Sequence, residues 1–410
     1  MYIIIHYNEI ALKKGNRDYF EKKLIKNIKE RFDKDFPEKL ERIKRFPGRF
    51  LLKLKKENLN KENGAENSNK KSMKEDLKKN DDVRKVLKNI FGIHNFSFAK
   101  EIDQNIESFK IGAWEAMKND KFKTFRITTQ RSNKDFSMTS EEINREVGDY
   151  IFKKLEEKGL KPKVNLKNPD KECFVEIFNN TSFVYTEKIG GVGGMPVGTG
   201  GKALALLSGG IDSPVASYYG IKRGVSIDFI HFHSLPYTNI ASNEKVENLA
   251  RKLLKFQLNA KIFMVPFAEI QQKIVINCPE KLRVIFYRRM MMKISEELAN
   301  KRRYKVLYTG ESVAQVASQT LENIVATNDA VLMPVFRPLI GFDKLEIIEI
   351  AKKIDTYNIS ILSHEDCCTR FVPKHPETKA KLKEVRKAEK SLDVKKIIQE
   401  ALKNTETINI

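Results

Sequence analysis

The sequence predicts an α/β protein in which two small α+β domains precede a larger domain built on a parallel sheet. Three observations lead to this fold class. Short segments with helical or strand spacing alternate within residues 1–55 and 83–189. A strongly polar stretch separates those two ranges. Beyond residue 202, continuous apolar segments alternate with helical ones, which is typical of parallel strands that helices cover on both faces.

The composition favours an anionic partner and argues against two classes of protein, disulfide scaffolds and membrane-spanning proteins. Lys and Arg number 76 against 54 Asp and Glu, so the formal net charge is +22 and a nucleic acid or another anionic partner is expected. Four cysteines among 410 residues do not make a disulfide scaffold. No apolar run approaches about 18 residues, so we expect no membrane-spanning helix and no membrane partner. A cytoplasmic location is the resulting expectation.

The first 55 residues predict a strand, a helix and a hairpin. The helix Arg17–Arg31 has one apolar face, and Asn16 stands where an N-cap is expected. Pro47 and Gly48 indicate the hairpin turn. The predicted strands are Tyr2–His6, Arg42–Phe46 and Arg49–Lys55.

Residues 56–82 predict a flexible insertion, because Lys, Asn, Glu, Asp and Ser bury too little apolar surface to offset the entropy of ordering. Periodic spacing returns at Val83, and residues 83–189 predict the second α+β domain. Ser140 is the expected cap of its long helix. The predicted helices are Val83–Ile90 and Thr139–Leu155, and the predicted strands are Phe96–Ala99, Phe122–Thr129, Cys173–Phe178 and Ser182–Lys188.

Residues 190–410 predict the parallel-sheet domain, which begins in a glycine-rich stretch at residues 190–201. Its strands are continuous apolar runs, as expected for a sheet buried on both faces. The predicted strands are Ala203–Leu207, Ser226–Phe232, Ala260–Pro266 and Lys305–Thr309. The predicted helices are Pro214–Arg223, Glu244–Phe256, Pro279–Asn300 and a charged segment at Glu377–Asn404.

The strongest motif is Ser208-Gly-Gly-Ile-Asp-Ser213, which follows an apolar strand and opens a helix. Its glycines let phosphate approach the backbone, and the helix start supplies N–H groups and a positive dipole end. Asp212 is too acidic to contact phosphate directly, which indicates an indirect or a Mg²⁺-linked role. The nearby Lys202 does not belong to a Walker motif, because Pro196 and Ala203 replace the required Gly and Ser or Thr.

Ser208–Ser213 resembles the PP-loop of ATP pyrophosphatases, and further motifs resemble tRNA 4-thiouridine synthetase, also called tRNA uracil 4-sulfurtransferase, in its short form without a rhodanese domain. Other matching segments resemble the RNA-binding THUMP domain of that family, namely Arg131–Phe136 and Thr139–Gly148. The motifs of the catalytic domain are Gly193–Lys202, His231–Ser234, Arg288–Met292, Tyr308–Ser312 with Gln315 and Gln319, and Arg337–Lys344.

The resemblance implies a division of the chain. Residues 1–55 resemble the family's ferredoxin-like domain, and residues 56–82 are the insertion. Residues 83–189 resemble the THUMP domain, and residues 190–410 resemble the Rossmann-like PP-loop domain that carries out adenylation and sulfur transfer.

The resemblance also implies which residues bind ATP. A flat ring near strand ends suits adenine, and the rigid fork of Arg288 suits phosphate. Lys344 is the candidate for binding the leaving pyrophosphate, and it joins Asp212 among the catalytic candidates. The ATP-binding candidates are Leu206, Leu207, Ser208, Gly209, Gly210, Asp212, Ser213, His231, Phe232, Arg288, Gly310 and Gln319.

Sulfur transfer requires a thiol. Cys173 lies in a predicted strand, where an unreactive core position is expected. Cys278 precedes a predicted helix, whose start would lower the thiol pKa, although a structural role fits equally well. Cys367 and Cys368 lie in a polar loop with His364 and Arg370. The family's catalytic cysteine follows the Lys of its Gly-x-Asp-Lys motif by 23 residues, and Cys367 follows Lys344 by that spacing.

The reaction implied by the resemblance has two steps. ATP adenylates O4 of a tRNA uridine, at position 8 in this family, and pyrophosphate leaves. A persulfide on Cys367 then delivers sulfur to C4 and displaces AMP, and Cys368 or Cys278 resolves the persulfide. No cysteine follows Cys368, so we expect a separate donor, either a cysteine desulfurase persulfide or sulfide. The family's link to thiamine thiazole synthesis leans partly on the missing rhodanese domain.

Several alternatives remain open. An iron–sulfur cluster on Cys278, Cys367 and Cys368 is conceivable, although adjacent ligands fit a cluster poorly. A PP-loop enzyme could instead act on a different tRNA base or on a small acid, and the THUMP-like region argues against the small acid. A tRNA-binding module with an inactive site is a third hypothesis, which the intact Ser208–Ser213 and Lys344 oppose. The family also implies a homodimer.

Basic side chains are the expected contacts to tRNA. They would recognise RNA shape and the single-stranded acceptor end instead of base sequence. The target uridine must leave its stack to reach the adenylation site. The candidates are Arg42, Lys44, Arg45, Arg49, Arg126, Arg131, Lys134 and Arg145.

Overall fold

The computed structural model describes residues 1–55, 81–132, 136–237, 240–363 and 373–410. The chain divides into two compact units, Met1–Gly194 and Met195–Ile410. Within the described ranges, no helix has both the length and the apolar character needed to cross a membrane.

A nine-stranded sheet organises the described part of the first unit. Its strands are β1 (Tyr2–His6), β2 (Leu40–Phe46), β3 (Arg49–Leu54), β4 (Asn95–Ile102), β5 (Thr124–Arg131), β6 (Lys163–Val164), β7 (Lys171–Ile177), β8 (Ser182–Tyr185) and β9 (Ile189–Gly190). The spatial order is β2-β3-β1-β4-β8-β7-β5-β6, and β9 pairs with β4. The helices are α1 (Arg17–Asp35), α2 (81–88), α3 (Ile106–Met117) and α4 (Ser140–Glu157).

Alternate residues of β1 point to opposite faces of this sheet, and both faces are buried. Ile3 and Ile5 pack with Leu24 and Ile28 of α1 in one core, whereas Ile4 belongs to a second core on the opposite face. Helices α3 and α4 cover β5 and β7 through a further apolar cluster. The predicted helix and hairpin of residues 1–55 are therefore joined to the strands of the next domain in one sheet.

A six-stranded sheet organises the described part of the second unit, in the order β14-β13-β10-β11-β12-β15. The strands are β10 (Lys202–Leu206), β11 (Ser226–His233), β12 (Lys261–Pro266), β13 (Leu307–Tyr308), β14 (Val335–Phe336) and β15 (Glu406–Asn409). Every pairing is parallel except that of β15 with β12. Buried residues such as Ala203 and Leu204 in β10 confirm the expected parallel sheet covered on both faces.

Helices cover this sheet, and those predicted at Pro214–Arg223, Glu244–Phe256 and Pro279–Asn300 are present as α5, α6 and α8 with shifted ends. Helices α7, α8, α9, α12 and α13 contribute to one large apolar core, and α5 contacts α6 and α10. The helices are α5 (Asp212–Lys222), α6 (Ile240–Leu253), α7 (Ala268–Asn277), α8 (Arg283–Arg302), α9 (Leu321–Asn328), α10 (Lys344–Lys353), α11 (Tyr357–Ser360), α12 (Leu382–Glu389) and α13 (Val394–Lys403).

The structure corrects several local predictions. Thr139, and not Ser140, caps α4, because its hydroxyl accepts a hydrogen bond from the backbone N–H of Glu142 while the Glu142 carboxylate accepts from Thr139. Asn16 occupies the N-cap position of α1 without a side-chain cap hydrogen bond. Asp81 and Asp82, expected in the insertion, belong to α2.

Other differences concern whole elements. The elements that were not predicted are the helices α3, α7, α9, α10 and α11 and the strands β6, β9, β14 and β15. The predicted helix Glu377–Asn404 consists of the two helices α12 and α13, because Asp393 caps a new helix by accepting from the backbone N–H of Lys396. The predicted helix at Pro279 begins at Arg283, after the 3₁₀ turn Glu280–Leu282. Residues 56–80 of the predicted insertion lie outside the described residues, and the predicted domain boundaries stay a prediction.

Candidate active site

A cavity of about 250 Å³ lies at the carboxyl ends of β10, β11 and β13. Ligands commonly bind at this edge of a parallel α/β sheet. Of the predicted ATP-binding residues, all except Gly209 and Gly210 line the cavity. The lining residues are Leu206, Leu207, Ser208, Asp212, Ser213, Ile230, His231, Phe232, Arg288, Met291, Met292, Thr309, Gly310, Glu311 and Gln319.

The loop between β10 and α5 is held by its own serines. The Ser213 hydroxyl accepts a hydrogen bond from the backbone N–H of Ser208 at 2.9 Å, and the two hydroxyl oxygens lie 3.1 Å apart. Ile211 precedes α5 and makes no side-chain cap. The N–H groups of the first turn are therefore left for an anion, with the helix dipole in support.

Gly310 lets the chain after β13 approach this loop closely. A Cβ atom at residue 310 would lie 2.7 Å from the backbone nitrogen of Ser213. A side chain there would push the loop away from the cavity, so this position needs glycine for steric reasons.

Asp212 and Lys344, the two catalytic candidates in the described residues, form an ion pair. Lys344 Nζ lies 2.6 Å from Asp212 Oδ1, and Gln315 Nε2 donates to Asp212 Oδ2 at 2.8 Å. Lys344 is the first residue of α10, whose start is fixed by a capping box between Asp343 and Glu346. Helix α10 thus places a cation beside the start of α5.

His231 faces the cavity as a neutral ring. Its Nδ1 lies 2.8 Å from the carbonyl oxygen of Leu207, and a carbonyl can only accept, so Nδ1 carries the proton. Burial lowers the pKa of His231 to about 4, against the opposing effect of the Leu207 hydrogen bond. Nε2 is consequently an acceptor at neutral pH.

Glu311 is a functional candidate that the sequence did not single out. Its carboxylate is buried, accepts from Arg288, and accepts from Arg337 Nε at 2.6 Å. Glu311 belongs to the Tyr308–Ser312 motif, and this was the available signal. Met291 and Met292 of the Arg288–Met292 motif also line the cavity without having been assigned a role.

The cysteines separate into two classes. Cys173 is fully buried, as predicted, and burial raises its pKa to about 12. Cys278 ends α7 instead of preceding a helix directly, and burial raises its pKa to about 11. The expectation of a lowered pKa at Cys278 is therefore wrong. Cys367, Cys368, His364 and Arg370 lie outside the described residues, so the role of Cys367 as sulfur carrier stays a prediction.

No group of three or more His, Cys, Asp or Glu side chains in the described ranges is placed to hold a metal ion. Cys367 and Cys368 lie outside those ranges, so the iron–sulfur alternative stays a prediction.

The predicted tRNA contacts have different environments. Arg42, Lys44, Arg45 and Arg145 are exposed. Arg126 pairs with Glu172, and Arg131 donates to the backbone oxygens of Phe136 and Met138. Lys134 lies outside the described residues.

The prediction that Arg49 contacts RNA is wrong. Its side chain is buried, donates to the Glu176 carboxylate and lies 5.2 Å above the ring of Phe178. Because β3 turns Arg49 inward, the guanidinium is committed to the interior of the first unit.

Comparison with known families agrees with this arrangement. Residues 198–394 match the family described as "Thiamine biosynthesis protein (ThiI)". Residues 99–187 match the THUMP domain, and residues 2–70 match the ThiI ferredoxin-like domain.

Relatives and a solved structure cover the whole length. A "Probable tRNA sulfurtransferase" of Thermoanaerobacter sp. (strain X514) is 43% identical over 97% of this chain and 96% of its own. A protein of the same name from Acetivibrio thermocellus is 42% identical over 100% and 98%. The crystal structure of a 4-thiouridine synthetase–RNA complex with bound ATP has a TM-score of 0.84 and 36% identity, covering 100% of this chain and 99% of that one. The chain therefore belongs to the tRNA sulfurtransferase family.

Proposed function

We propose that this protein is an ATP-dependent tRNA sulfurtransferase that makes 4-thiouridine at position 8 of tRNA. The observation that carries the proposal is the cavity beside the Ser208–Ser213 loop, where the predicted nucleotide-binding residues converge next to Asp212 and Lys344. The full-length similarity to a 4-thiouridine synthetase crystallised with RNA and ATP supports it.

The cavity offers a distinct environment to each part of ATP. The apolar side chains of Leu206 and Phe232 suit the adenine ring, and His231 Nε2 can accept from its amino group. The Ser208–Ser213 loop, with Gly209 and Gly210, suits the phosphates. The Asp212 carboxylate is an oxygen ligand of the kind that Mg²⁺ prefers, and Mg²⁺ bound there would neutralise phosphate charge.

In the first step, uridine O4 attacks the α-phosphorus of ATP and the bond to pyrophosphate breaks. The negative charge that develops on pyrophosphate needs fixed cations close by. Arg288 lines the cavity, and Lys344 lies beside the start of α5. We assign these two side chains to the leaving group.

In the second step, the terminal sulfur of a Cys367 persulfide attacks C4, and AMP leaves with the former O4 oxygen. A second thiol then attacks Cys367 Sγ, forming a disulfide and leaving the thiocarbonyl sulfur on the base. The high pKa of Cys278 makes Cys368 the better candidate for this second thiol. An external thiol then reduces this disulfide, and a separate persulfide donor transfers its outer sulfur to the freed Cys367 thiolate and leaves as a thiol. Sulfide can instead attack Cys367 Sγ in the disulfide, which forms the Cys367 persulfide and releases the second thiol.

The first unit supplies the proposed tRNA surface. Its THUMP match and the exposed Arg42, Lys44 and Arg145 support contacts to the phosphate backbone. A role in thiamine synthesis has its support in the name of the matching family alone, and a homodimer stays a prediction.

The test is thiolation of unmodified tRNA in the presence of ATP, Mg²⁺ and a persulfide donor, with thiolated uridine mapped by mass spectrometry and pyrophosphate measured in parallel. We expect wild-type protein to thiolate position 8. We expect Cys367→Ser to lose thiolation but to keep ATP-dependent pyrophosphate release, because adenylation precedes sulfur transfer.

Cys368→Ser is the matched control: its Cys367 persulfide can still attack C4 and displace AMP, so tRNA should accumulate as a mixed disulfide with Cys367 that added dithiothreitol releases as 4-thiouridine. Equal thiolation by wild type and Cys367→Ser would remove Cys367 from the mechanism. Pyrophosphate release without thiolation at position 8, or thiolation at another base, would sink the assigned substrate.

A further inference from the structure

We propose that Glu311 is a positioning residue for pyrophosphate release, because its buried carboxylate fixes Arg288 at the nucleotide cavity and Arg337 at the start of the segment that leads to Lys344. This inference rests on the proposed function and extends it to a group that acts through its two arginine partners.

Both oxygens of the Glu311 carboxylate are fully engaged. Oε1 accepts from Arg288 Nη2, and Oε2 accepts from Arg337 Nε at 2.6 Å and from the Thr309 hydroxyl at 2.9 Å. Burial alone raises the pKa of Glu311, but Arg288 and Arg337 outweigh burial and hold the pKa below its ordinary value. A charged carboxylate is thus fixed by donors from α8, from the end of β13 and from the chain after β14.

The cluster carries an excess of positive charge and unused donors. Two guanidinium groups share one carboxylate, which leaves one net positive charge beside the cavity. Arg288 Nε, at the cavity, and Arg337 Nη2, outside the cavity lining, are both buried without a hydrogen-bond partner in the described part of the chain. Buried donors are normally satisfied, so this arrangement fits an anionic ligand better than an empty pocket.

The two residues after Glu311 are hydrogen-bonded to the segment that precedes Lys344. The Ser312 hydroxyl donates to the carbonyl oxygen of Phe342 at 2.9 Å, and the backbone N–H of Val313 donates to that of Ile340 at 3.2 Å. Displacing Glu311 would therefore disturb the placement of Lys344 as well as that of Arg288.

The neighbouring Arg289 provides a contrast on the same helix. It is buried away from the cavity, and the Glu389 carboxylate accepts from its Nε and Nη2 at 2.9 and 2.7 Å. That pair joins α8 to α12. Glu389→Gln thus removes one carboxylate partner of an adjacent arginine, which keeps Asp329 at 3.2 Å, without touching the cavity lining.

The experiment compares Glu311→Gln with Glu389→Gln. ATP and AMP affinities are measured by equilibrium binding, and pyrophosphate release is measured at varied ATP and tRNA. We expect Glu311→Gln to weaken ATP binding and kcat/KM for ATP by about 30-fold, with AMP affinity and KM for tRNA unchanged, because AMP lacks the departing phosphates. Glu389→Gln should lower the urea midpoint and leave the ATP-to-AMP affinity ratio as in wild type.

A double-mutant cycle with Arg288→Gln separates positioning from general damage. If Glu311 acts through Arg288, the double variant should be within about threefold of Arg288→Gln alone. Additive losses, or equal losses of ATP and AMP affinity in Glu311→Gln, would overturn the proposal. Should Glu311→Gln fail to fold, Arg337→Lys keeps the charge, removes the fork, and should still weaken ATP selectively.

The outcomes distinguish this inference from the proposed function. Selective loss of ATP affinity in Glu311→Gln supports the positioning role even if wild-type protein fails to thiolate position 8. Normal thiolation by Glu311→Gln with unchanged ATP affinity would reject the positioning role and leave the proposed function standing.

Discussion

Cys278 illustrates how burial overrides a promising sequence position. The residue precedes a short helical turn, where a thiolate could be stabilised. In the structure, however, it ends α7 and is buried among apolar residues of α7 and α8. Burial raises the pKa of its thiol to about 11, and the hydrogen bond with Ser391 offsets only part of that rise. The local sequence does not reveal this burial, because the same cluster also includes Val385 of α12 and Ile397 of α13, which lie far along the chain.

We expect Cys278 to be chemically inert and dispensable for sulfur transfer. Because its thiol is protonated at pH 7.5, iodoacetamide should modify Cys278 at least about tenfold more slowly than an unfolded reference peptide. Cys278→Ser should retain thiolation within about twofold of wild type. Peptide mass spectrometry measures the labelling. Rapid labelling, or loss of thiolation in the variant, would return Cys278 to the mechanism.

Two adjacent basic residues of strand β2 have different surroundings, and we expect only the first of them to bind tRNA strongly. Lys44 is exposed and has no carboxylate partner among the described residues. Arg45 follows it and lies 2.6 Å from Asp18 Oδ1 and 3.1 Å from Glu21 Oε2. Neighbouring residues of a strand point to opposite faces, so the two side chains meet different surroundings.

We therefore expect Lys44→Ala to weaken tRNA binding and to reduce the slope of log K against log salt by about 1, since one phosphate contact is lost. Arg45→Ala is the matched control and should change the slope less, because its charge is already neutralised by two carboxylates. Filter binding over a salt series measures both. An unchanged slope for Lys44→Ala, or an equal change for Arg45→Ala, would contradict this assignment.

The elements themselves show what sequence patterns reveal. The strand–loop–helix around Ser208–Ser213 was predictable, because an apolar strand, a glycine turn and a helix start leave clear local signals. Helix α3 was not predicted. Gly112 lies in its middle, where a Cβ would come within 3.1 Å of Ile102, and an interior glycine weakens the helical signal. The burial of Arg49, and the pairing of the Glu311 carboxylate with two arginines, depend on contacts between distant segments. The spacing of apolar residues does not encode such contacts.

On the scale of the molecule, a buried polar network joins early and late strands of the first unit. The Glu176 carboxylate of β7 accepts from Arg49 of β3 and from the Tyr185 hydroxyl of β8 at 2.6 Å. His6 Nε2 of β1 lies 3.4 Å from the same carboxylate. Burial opposes ionisation of Glu176, but His6, Arg49 and Tyr185 outweigh it and hold the pKa at about 2.

This network should make the stability of the first unit sensitive to acid. Glu176 stays ionised in the folded state down to about pH 2, whereas its ordinary pKa is 4.5. Its stabilising contribution is therefore complete above the ordinary pKa and is lost as pH falls towards 2. We expect Glu176→Gln to lower the urea midpoint at pH 7, with the difference from wild type shrinking between pH 5 and pH 3.

Trp114 in α3 is the chain's one tryptophan, so its fluorescence reports on the first unit. Glu157→Gln, at an exposed site on α4, controls for loss of charge alone. A constant difference between Glu176→Gln and wild type from pH 7 to pH 3 would argue against the network as the source of acid sensitivity.

Strand β15 has a consequence for the order in which the protein is assembled during translation. It pairs with β12, although α8, β13 and β14 are synthesised between them. While the ribosome makes those segments, β12 presents an open edge of unpaired N–H and C=O groups, which is a template for unwanted strand pairing. In the part of the chain that the structure describes, the strands of the nine-stranded sheet all lie within residues 2–190, so that sheet can be completed earlier. The nascent chain is thus most exposed to aggregation after the nine-stranded sheet has formed and before residues 406–409 emerge.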